Sequence, residues 1–388
     1  MQPSNFKREV GAKLRQLREN EGLSQQEVAN SLGWGSHVIT GNVENGSRDL
    51  KAWELSKLSD LLKISIQELL PSKVTESPKA FVLWRDKPTE KVALIQERKF
   101  LDVCRKFNFL EDVLELPKKR LAKRNLPSFS LNLSTTTFSD VFALAEKCRD
   151  ELGLGAYPAK GLISVLEDEY DIKFVYLNIG DNRGSAACTE SEFGKCIMLN
   201  IPEAPWRRNF SIAHELFHII TWDEALFEQI QANKLLWEKN EKLANAFAAG
   251  LLMPQEQTRQ LVKESQTDSG KLSFSDVLAI ARDFEVSTEA LLWRLVGLNI
   301  LKRESVETLQ NNPEFKALEL ESNSNRELKD HFQSWRFVRL AFQAYSRGRL
   351  SRTKLADYLD TSLVDLDNEL AKFGLVDVDG EEIEISNP

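Results

Sequence analysis

A chain of 388 residues, 42% hydrophobic and 28% charged, is too long for one small core and reads as a soluble protein of roughly two to four domains. No run of roughly 18 or more apolar residues occurs, which excludes an ordinary transmembrane helix. A formal net charge of -8 excludes a chain coated in phosphate-binding surface, while leaving room for a local DNA-binding field.

The N-terminus, Met1 to Arg8, lacks the apolar core of a signal peptide, so the cytoplasm is the expected location. Residues 6–70 then read as five short helices. Phe6, Val10, Leu14 and Leu17 form a stripe at helical spacing, ended by Gly22. Ser24 with Glu27 is a capping box that starts a second helix through Val28 and Leu32, with Gly33 as its turn. A third helix runs from about Ser36 to Glu44 and stops at Asn45-Gly46. Leu50, Trp53, Leu58, Leu61 and Leu62 mark a fourth, and Ile66, Leu69 and Leu70 a fifth, ended by Pro71.

Residues 73–135 read as a helical connector. Phe100 to Leu116 is an amphipathic helix stopped by Pro117, and Lys118 to Arg124 is a basic run better read as solvated surface than as a phosphate grip. Residues 136–300 read as one α+β unit. Its helices hold Val141 to Leu152 and Leu162 to Leu166; its strands are Ile172 to Ile179 and Lys195 to Asn200, with a turn at Asp181 to Gly184. Cys188 and Cys196 flank the expected hairpin and are expected to be reduced thiols, as are Cys104 and Cys148. From Phe210 the pattern is helical, with breaks near Trp222 and Pro254.

Residues 300–325, with Asn311-Asn312-Pro313 and Ser322 to Asn325, read as a loop within a last domain of 301–388. That domain reads as three helices and a hairpin turning at Asp379-Gly380, a winged-helix-like arrangement. Its acidic wing (Asp377, Asp379, Glu381, Glu382, Glu384) favours a protein interface over DNA. The fold class is therefore α+β, mainly helical, divided as 1–72, 73–135, 136–300 and 301–388.

The chemistry sits in Ser211-Ile212-Ala213-His214-Glu215-Leu216-Phe217-His218, an H-E-x-x-H on an expected helix with Ser211 as its N-cap. His214 and His218 leave one helix face a turn apart, the spacing that lets two imidazoles share one Zn²⁺. Glu215 sits beside them and can take a proton from the attacking water. A third ligand is needed, and the best candidate is Glu241, with Asn245 on the same face to orient an imidazole. A chance H-E-x-x-H on an ordinary helix is the competing reading, and the downstream Glu/Asn pair weakens it.

The run Arg207 to His218, with Glu241 to Asn245 and Phe247-Ala248-Ala249-Gly250-Leu251-Leu252-Met253-Pro254, resembles the ImmA/IrrE-type metallopeptidases over about residues 140–300. The resemblance implies a zincin-like fold and a zinc-dependent endopeptidase. It would cut or inactivate a helix-turn-helix repressor, in mobile elements or stress responses. His214, His218 and Glu241 would be ligands and Glu215 the base. Phe217 stands where that family usually has glycine, and is expected to narrow the substrate cleft.

Residues 6–70 resemble the phage-repressor-like (XRE) helix-turn-helix domain, through Leu14, Leu17, Arg18, Gly22 to Gln25, Val28, Ala29, Leu32, Gly33 and Glu44 to Gly46. The resemblance implies operator contacts by Gln25, Gln26, Ser36, His37, Thr40 and Asn42 on double-stranded DNA, and a homodimer. Residues 1–72 hold nine basic and nine acidic side chains, so phosphate charge must come from individual groups: Lys7, Arg8, Lys13, Arg15, Arg18, Arg48 and Lys51. Two functions remain open. One is a DNA-binding regulator whose peptidase cleaves a repressor, a partner or itself. The other is a repressor- or antitoxin-type binding protein whose zinc domain senses a partner, such as a toxin, with little proteolysis; Phe217 favours it.

Overall fold

The computed structural model describes residues 3–62, 82–84, 89–116, 124–180, 186–188, 193–223, 230, 233–268, 270–324 and 332–376. The expected fifth helix (63–70), the basic residues Lys118 to Lys123, the turn at Asp181 to Gly184 and the hairpin about Asp379-Gly380 lie outside these residues. Two compact units are present, Met1–Lys79 and Ala80–Pro388.

The first unit holds α1 (Pro3–Asn20), α2 (Gln25–Leu32), α3 (His37–Glu44) and α4 (Ala52–Leu62). Both bonds of the Ser24/Glu27 capping box form, and Gly33 closes α2 in the left-handed conformation at φ 73°. Helix α1 crosses α3 so closely that a Cβ on Gly11 would lie 2.3 Å from the Val43 carbonyl oxygen, so only glycine fits there. Leu14, Val28, Leu32, Val43 and Leu58 fill the core. Two polar locks span it: Arg18 Nε donates to Glu44 at 2.6 Å, and Trp34 Nε1 to Glu54 at 2.9 Å.

The second unit contains β1 (Val82–Trp84), α5 (Glu90–Val113), α6 (Phe138–Leu152), α7 (Ala159–Asp168), β2 (Lys173–Leu177), β3 (Ala186–Cys188) and β4 (Cys196–Asn200). It continues through α8 (Pro205–Ile220), α9 (Lys234–Leu252), α10 (Gln255–Ser265), α11 (Phe274–Asp283), α12 (Thr288–Gly297), α13 (Arg303–Asn311) and α14 (Pro313–Ser324). It ends with α15 (Trp335–Ser346), α16 (Arg352–Tyr358) and α17 (Leu366–Lys372). The sheet order is β1-β3-β4-β2; β2 and β4 are parallel and the other pairs antiparallel. Alternation along the strands sorts their side chains. Phe174, Ile197 and Leu199 join the core with α8, whereas Val175, Cys196 and Met198 pack with Trp84, Phe100 and Cys104.

Helix α9 lies against both α6 and α8. At Gly250 an added Cβ would meet the Phe142 ring at 2.9 Å, so the close α9–α6 approach requires a missing side chain. The α5 stripe begins at Ala93 and Gln96, which is why the helix starts at Glu90 rather than Phe100. Buried Glu111 on α5 accepts from Lys173 Nζ and Arg336 Nη2, each at 2.9 Å, and Arg336 also pairs with Asp171, joining α5, β2 and α15. Residues 303–324, expected to be a loop, are two helices. Pro313 opens α14, and Asn312 Oδ1 caps it by accepting from Glu314 N at 2.9 Å and Phe315 N at 3.0 Å. Among the described residues, no helix is long and apolar enough to cross a membrane.

Candidate functional site

The H-E-x-x-H segment lies on α8, which begins at Pro205, more than a turn before the expected cap. Ser211 is therefore a buried mid-helix residue and not the N-cap; its hydroxyl donates to Glu203 Oε2 at 3.1 Å. Residues Ser211 to Ile220 are all buried, so α8 is a central helix packed on every side. Asn233 starts α9, accepting from Leu235 N at 3.0 Å, and the helix then runs unbroken through Asn240, Glu241 and Asn245.

The packing of α9 on α8 brings the predicted ligands together. Glu241 Oε2 is 3.2 Å from His214 Nε2, and Glu241 Oε1 is 3.3 Å from His218 Nε2. The two Nε2 atoms are 3.2 Å apart. One donor atom from each of the three residues lies within 4.8 Å of the others. Burial by itself would raise the Glu241 carboxyl, yet hydrogen bonding to His214 and His218 and their charge hold it at about 2. The carboxylate is held in its ionised form by the histidine pair it faces. Glu241 Oε1 is buried beside His218 Nε2 and Oε2 beside His214 Nε2, so both carboxylate oxygens face the histidine pair. Glu215 follows His214 on the helix and is fully buried.

Asn245 lies where the spacing predicts, with Oδ1 3.0 Å from His214 Nδ1. Such an acceptor fixes the proton on Nδ1 and leaves the Nε2 lone pair facing Glu241. The His218 ring also has a neighbour that the sequence reading missed, an amide nitrogen in place of an oxygen. Asn240, 5% exposed, places its side-chain amide 3.3 Å from His218 Nδ1. The available signal was an asparagine inside a helix, where that residue is otherwise a poor choice. Phe217 does not narrow a cleft. Its ring is fully buried in the core, where it packs on Phe247 with centroids 5.5 Å apart and edge-on against the His218 ring at 5.7 Å.

In the first unit the expected DNA contacts separate into two groups. Gln26, His37 and Asn42 are exposed; Ser36 is half-buried and caps α3 by accepting from Val38 N. Gln25 is half-buried and donates to Glu44 Oε2 at 2.8 Å. Thr40 is corrected: it is wholly buried, and its hydroxyl donates to the Gln25 carbonyl at 2.9 Å, which locks α3 to α2. Arg48 is half-buried and already engaged within the unit. Its guanidinium donates to both Glu54 oxygens at 2.7 and 3.2 Å and stacks 4.9 Å over Trp34. Arg18 is spent on Glu44 in the same way. Val38, 54% exposed between His37 and Asn42, was not foreseen.

Comparison with known families agrees with this division. Residues 9–71 match the model of a helix-turn-helix domain, and residues 167–296 match the peptidase M78 model, an IrrE N-terminal-like domain. No curated protein matches the chain. The sequence thus carries a helix-turn-helix domain and, after it, an IrrE-like domain of metallopeptidase type.

Proposed function

We propose that this chain, in which a helix-turn-helix domain precedes an IrrE-like domain, is a DNA-binding transcriptional regulator whose second unit is a zinc-dependent endopeptidase. Its substrate is a repressor, a partner protein or the chain itself, in a stress or mobile-element response, and its place of action is the cytoplasm. The observation that carries the reading is the meeting of His214, His218 and Glu241 from two helices within 4.8 Å.

Two neutral imidazole nitrogens and one carboxylate are a donor set of catalytic zinc sites, and the clustering of His214, His218 and Glu241 fits it. His214, His218 and Glu241 hold the ion; Asn245 fixes the His214 ring. Zinc, when bound, supplies Lewis acidity for the scissile carbonyl and acidifies water. Glu215 accepts the proton of the attacking water and passes it to the leaving amine. The exclusion of solvent around Glu215 keeps that proton transfer within the site.

On the DNA side, Gln26, His37 and Asn42, with Val38 toward thymine methyl groups, form the reading edge of α3 and the start of α2. Gln25 and Ser36 support it, and dimerisation on a two-fold operator is part of the proposal. The alternative of a binding protein with little turnover rested on Phe217, whose ring lies in the core. Glu215→Gln tests the enzyme reading: the variant should keep zinc and DNA binding and lose cleavage of the candidate repressor or of the chain. Equal behaviour of wild type and variant on every candidate substrate would refute peptidase action.

A further inference from the structure

Two thiols meet in the smaller core between α5 and the sheet, away from the metal centre. Cys104 on α5 and Cys196 on β4 are both fully buried, in one cluster with Trp84, Phe100, Val175 and Met198. Lys173 fixes their approach. It stands beside Cys196 in the β2–β4 register and donates Nζ to Asn108 Oδ1 at 3.0 Å, and Asn108 lies one turn after Cys104 on α5. Its Nζ also donates to the Phe193 carbonyl at 2.8 Å, the same carbonyl that lies 4.0 Å from Cys196 Sγ. The two thiol side chains are themselves hydrogen-bonded. Cys148, equally buried, belongs to the other core, with Val141, Ala145 and Leu152.

Both cysteines are reduced in this structure. Two sulfurs already in contact, one on a helix and one on the strand beneath it, are the arrangement that bridging requires. Hydrogen bonding to Cys104, together with burial, pushes the Cys196 thiol well up and keeps its proton in place. Cys104 is therefore the sulfur that reacts first and Cys196 the one that resolves. Full burial shields both from bulky reagents, so the oxidant has to be small and uncharged, of the size of hydrogen peroxide.

We propose that Cys104 and Cys196 are a redox pair that hydrogen peroxide converts to a disulfide. The Cys104 sulfur attacks one peroxide oxygen; the O–O bond breaks, a sulfenic acid forms, and the released hydroxide leaves as water with the Cys104 proton. The Cys196 sulfur then attacks the sulfenic sulfur; the S–O bond breaks, the S–S bond forms, and the second hydroxide leaves as water with the Cys196 proton. Two thiols are oxidised and one peroxide is reduced to two waters. The bridge ties α5 to β4, the strand that leads into α8 and its two histidines. It closes a long loop and so restrains the unfolded chain, which makes the oxidised protein the more resistant to urea. The proposal does not depend on peptidase activity, since the bridge is read by mass.

The test exposes the folded full chain to hydrogen peroxide, removes the peroxide with catalase, alkylates the remaining thiols in urea and maps the unreduced peptides by mass spectrometry. The peptides of Cys104 and Cys196 should appear joined, lighter by two hydrogens than their reduced sum and separated by dithiothreitol, with Cys148 alkylated. The urea midpoint of the oxidised chain should rise and return with the reductant. Cys148→Ala should form the bridge as wild type does, and Cys104→Ser should lose it. Substituting a buried thiol can disturb the core, so the wild-type map decides. A folded chain in which Cys104 and Cys196 both stay thiols would overturn the proposal. So would a bridge from Cys196 to Cys188, its opposite number in the β3–β4 register, or a Cys104–Cys196 bridge that forms only when the chain is unfolded before peroxide is added.

Discussion

Replacing Asn245 by alanine removes the oxygen that lies 3.0 Å from His214 Nδ1 and touches no metal donor atom. The His214 ring is fully buried, so water cannot readily replace the lost acceptor. The ring then loses both the bond that fixes its tautomer and part of the basicity of Nε2. Losses of this kind cost about 10- to 100-fold in metal affinity, or roughly 1.4–2.8 kcal/mol. The assay is competition for zinc against a chromophoric chelator, with Asn245→Asp as the conservative comparison because it keeps an oxygen in place. Alanine should fall in that range, and aspartate should remain within a few-fold of wild type. An alanine variant that binds zinc as wild type does, or an aspartate variant as weak as alanine, would refute the orienting role.

Burial raises the Glu167 carboxyl from its ordinary 4.5 to about 7, partly offset by the Ser334 hydroxyl bond and the Arg336 charge. The folded state thus holds this proton more tightly than the unfolded state. Its contribution is whole below about pH 4.5 and is lost as pH rises through about 7, on the order of 3 kcal/mol. Urea unfolding at about pH 5 and about pH 8 should show a smaller stability loss in Glu167→Gln than in wild type; equal losses would contradict the assignment. In the first unit, Asn42→Ala should weaken binding to a duplex selected from a random library by about 1–3 kcal/mol without altering stability. Thr40→Val should instead destabilise the unit by roughly 1 kcal/mol, because it removes the bond between the buried Thr40 hydroxyl and the Gln25 carbonyl. Gel shift and thermal melting separate the two outcomes.

What could be read from the sequence was what local spacing decides. The Ser24/Glu27 box needs only four consecutive residues, and it forms as expected. The pairs His214/His218 and Glu241/Asn245 are each four apart on a helix, so their faces followed from the helical repeat alone. Where tertiary packing decides, the reading failed. Ser211 had cap chemistry, but Pro205 started the helix earlier and burial did the rest. Asn312-Pro313 looked like a break and is the junction of two helices. Asn240 adjoins Glu241, so spacing did not put it beside Asn245; only the seating of α9 on α8 takes its amide to His218. Thr40 is taken out of reach by burial against the Gln25 carbonyl, and Arg48 is tied to the Glu54 carboxylate, partners that no local pattern reveals.

The most direct measurement is the zinc content of the purified chain after equilibrium dialysis, beside that of Glu241→Ala and His218→Ala. The wild type should retain about one ion per chain, and each variant should lose it while keeping its circular dichroism spectrum. A wild type that holds no stoichiometric zinc, or a Glu241→Ala chain that holds as much as wild type, would contradict a centre built from two imidazoles and this carboxylate.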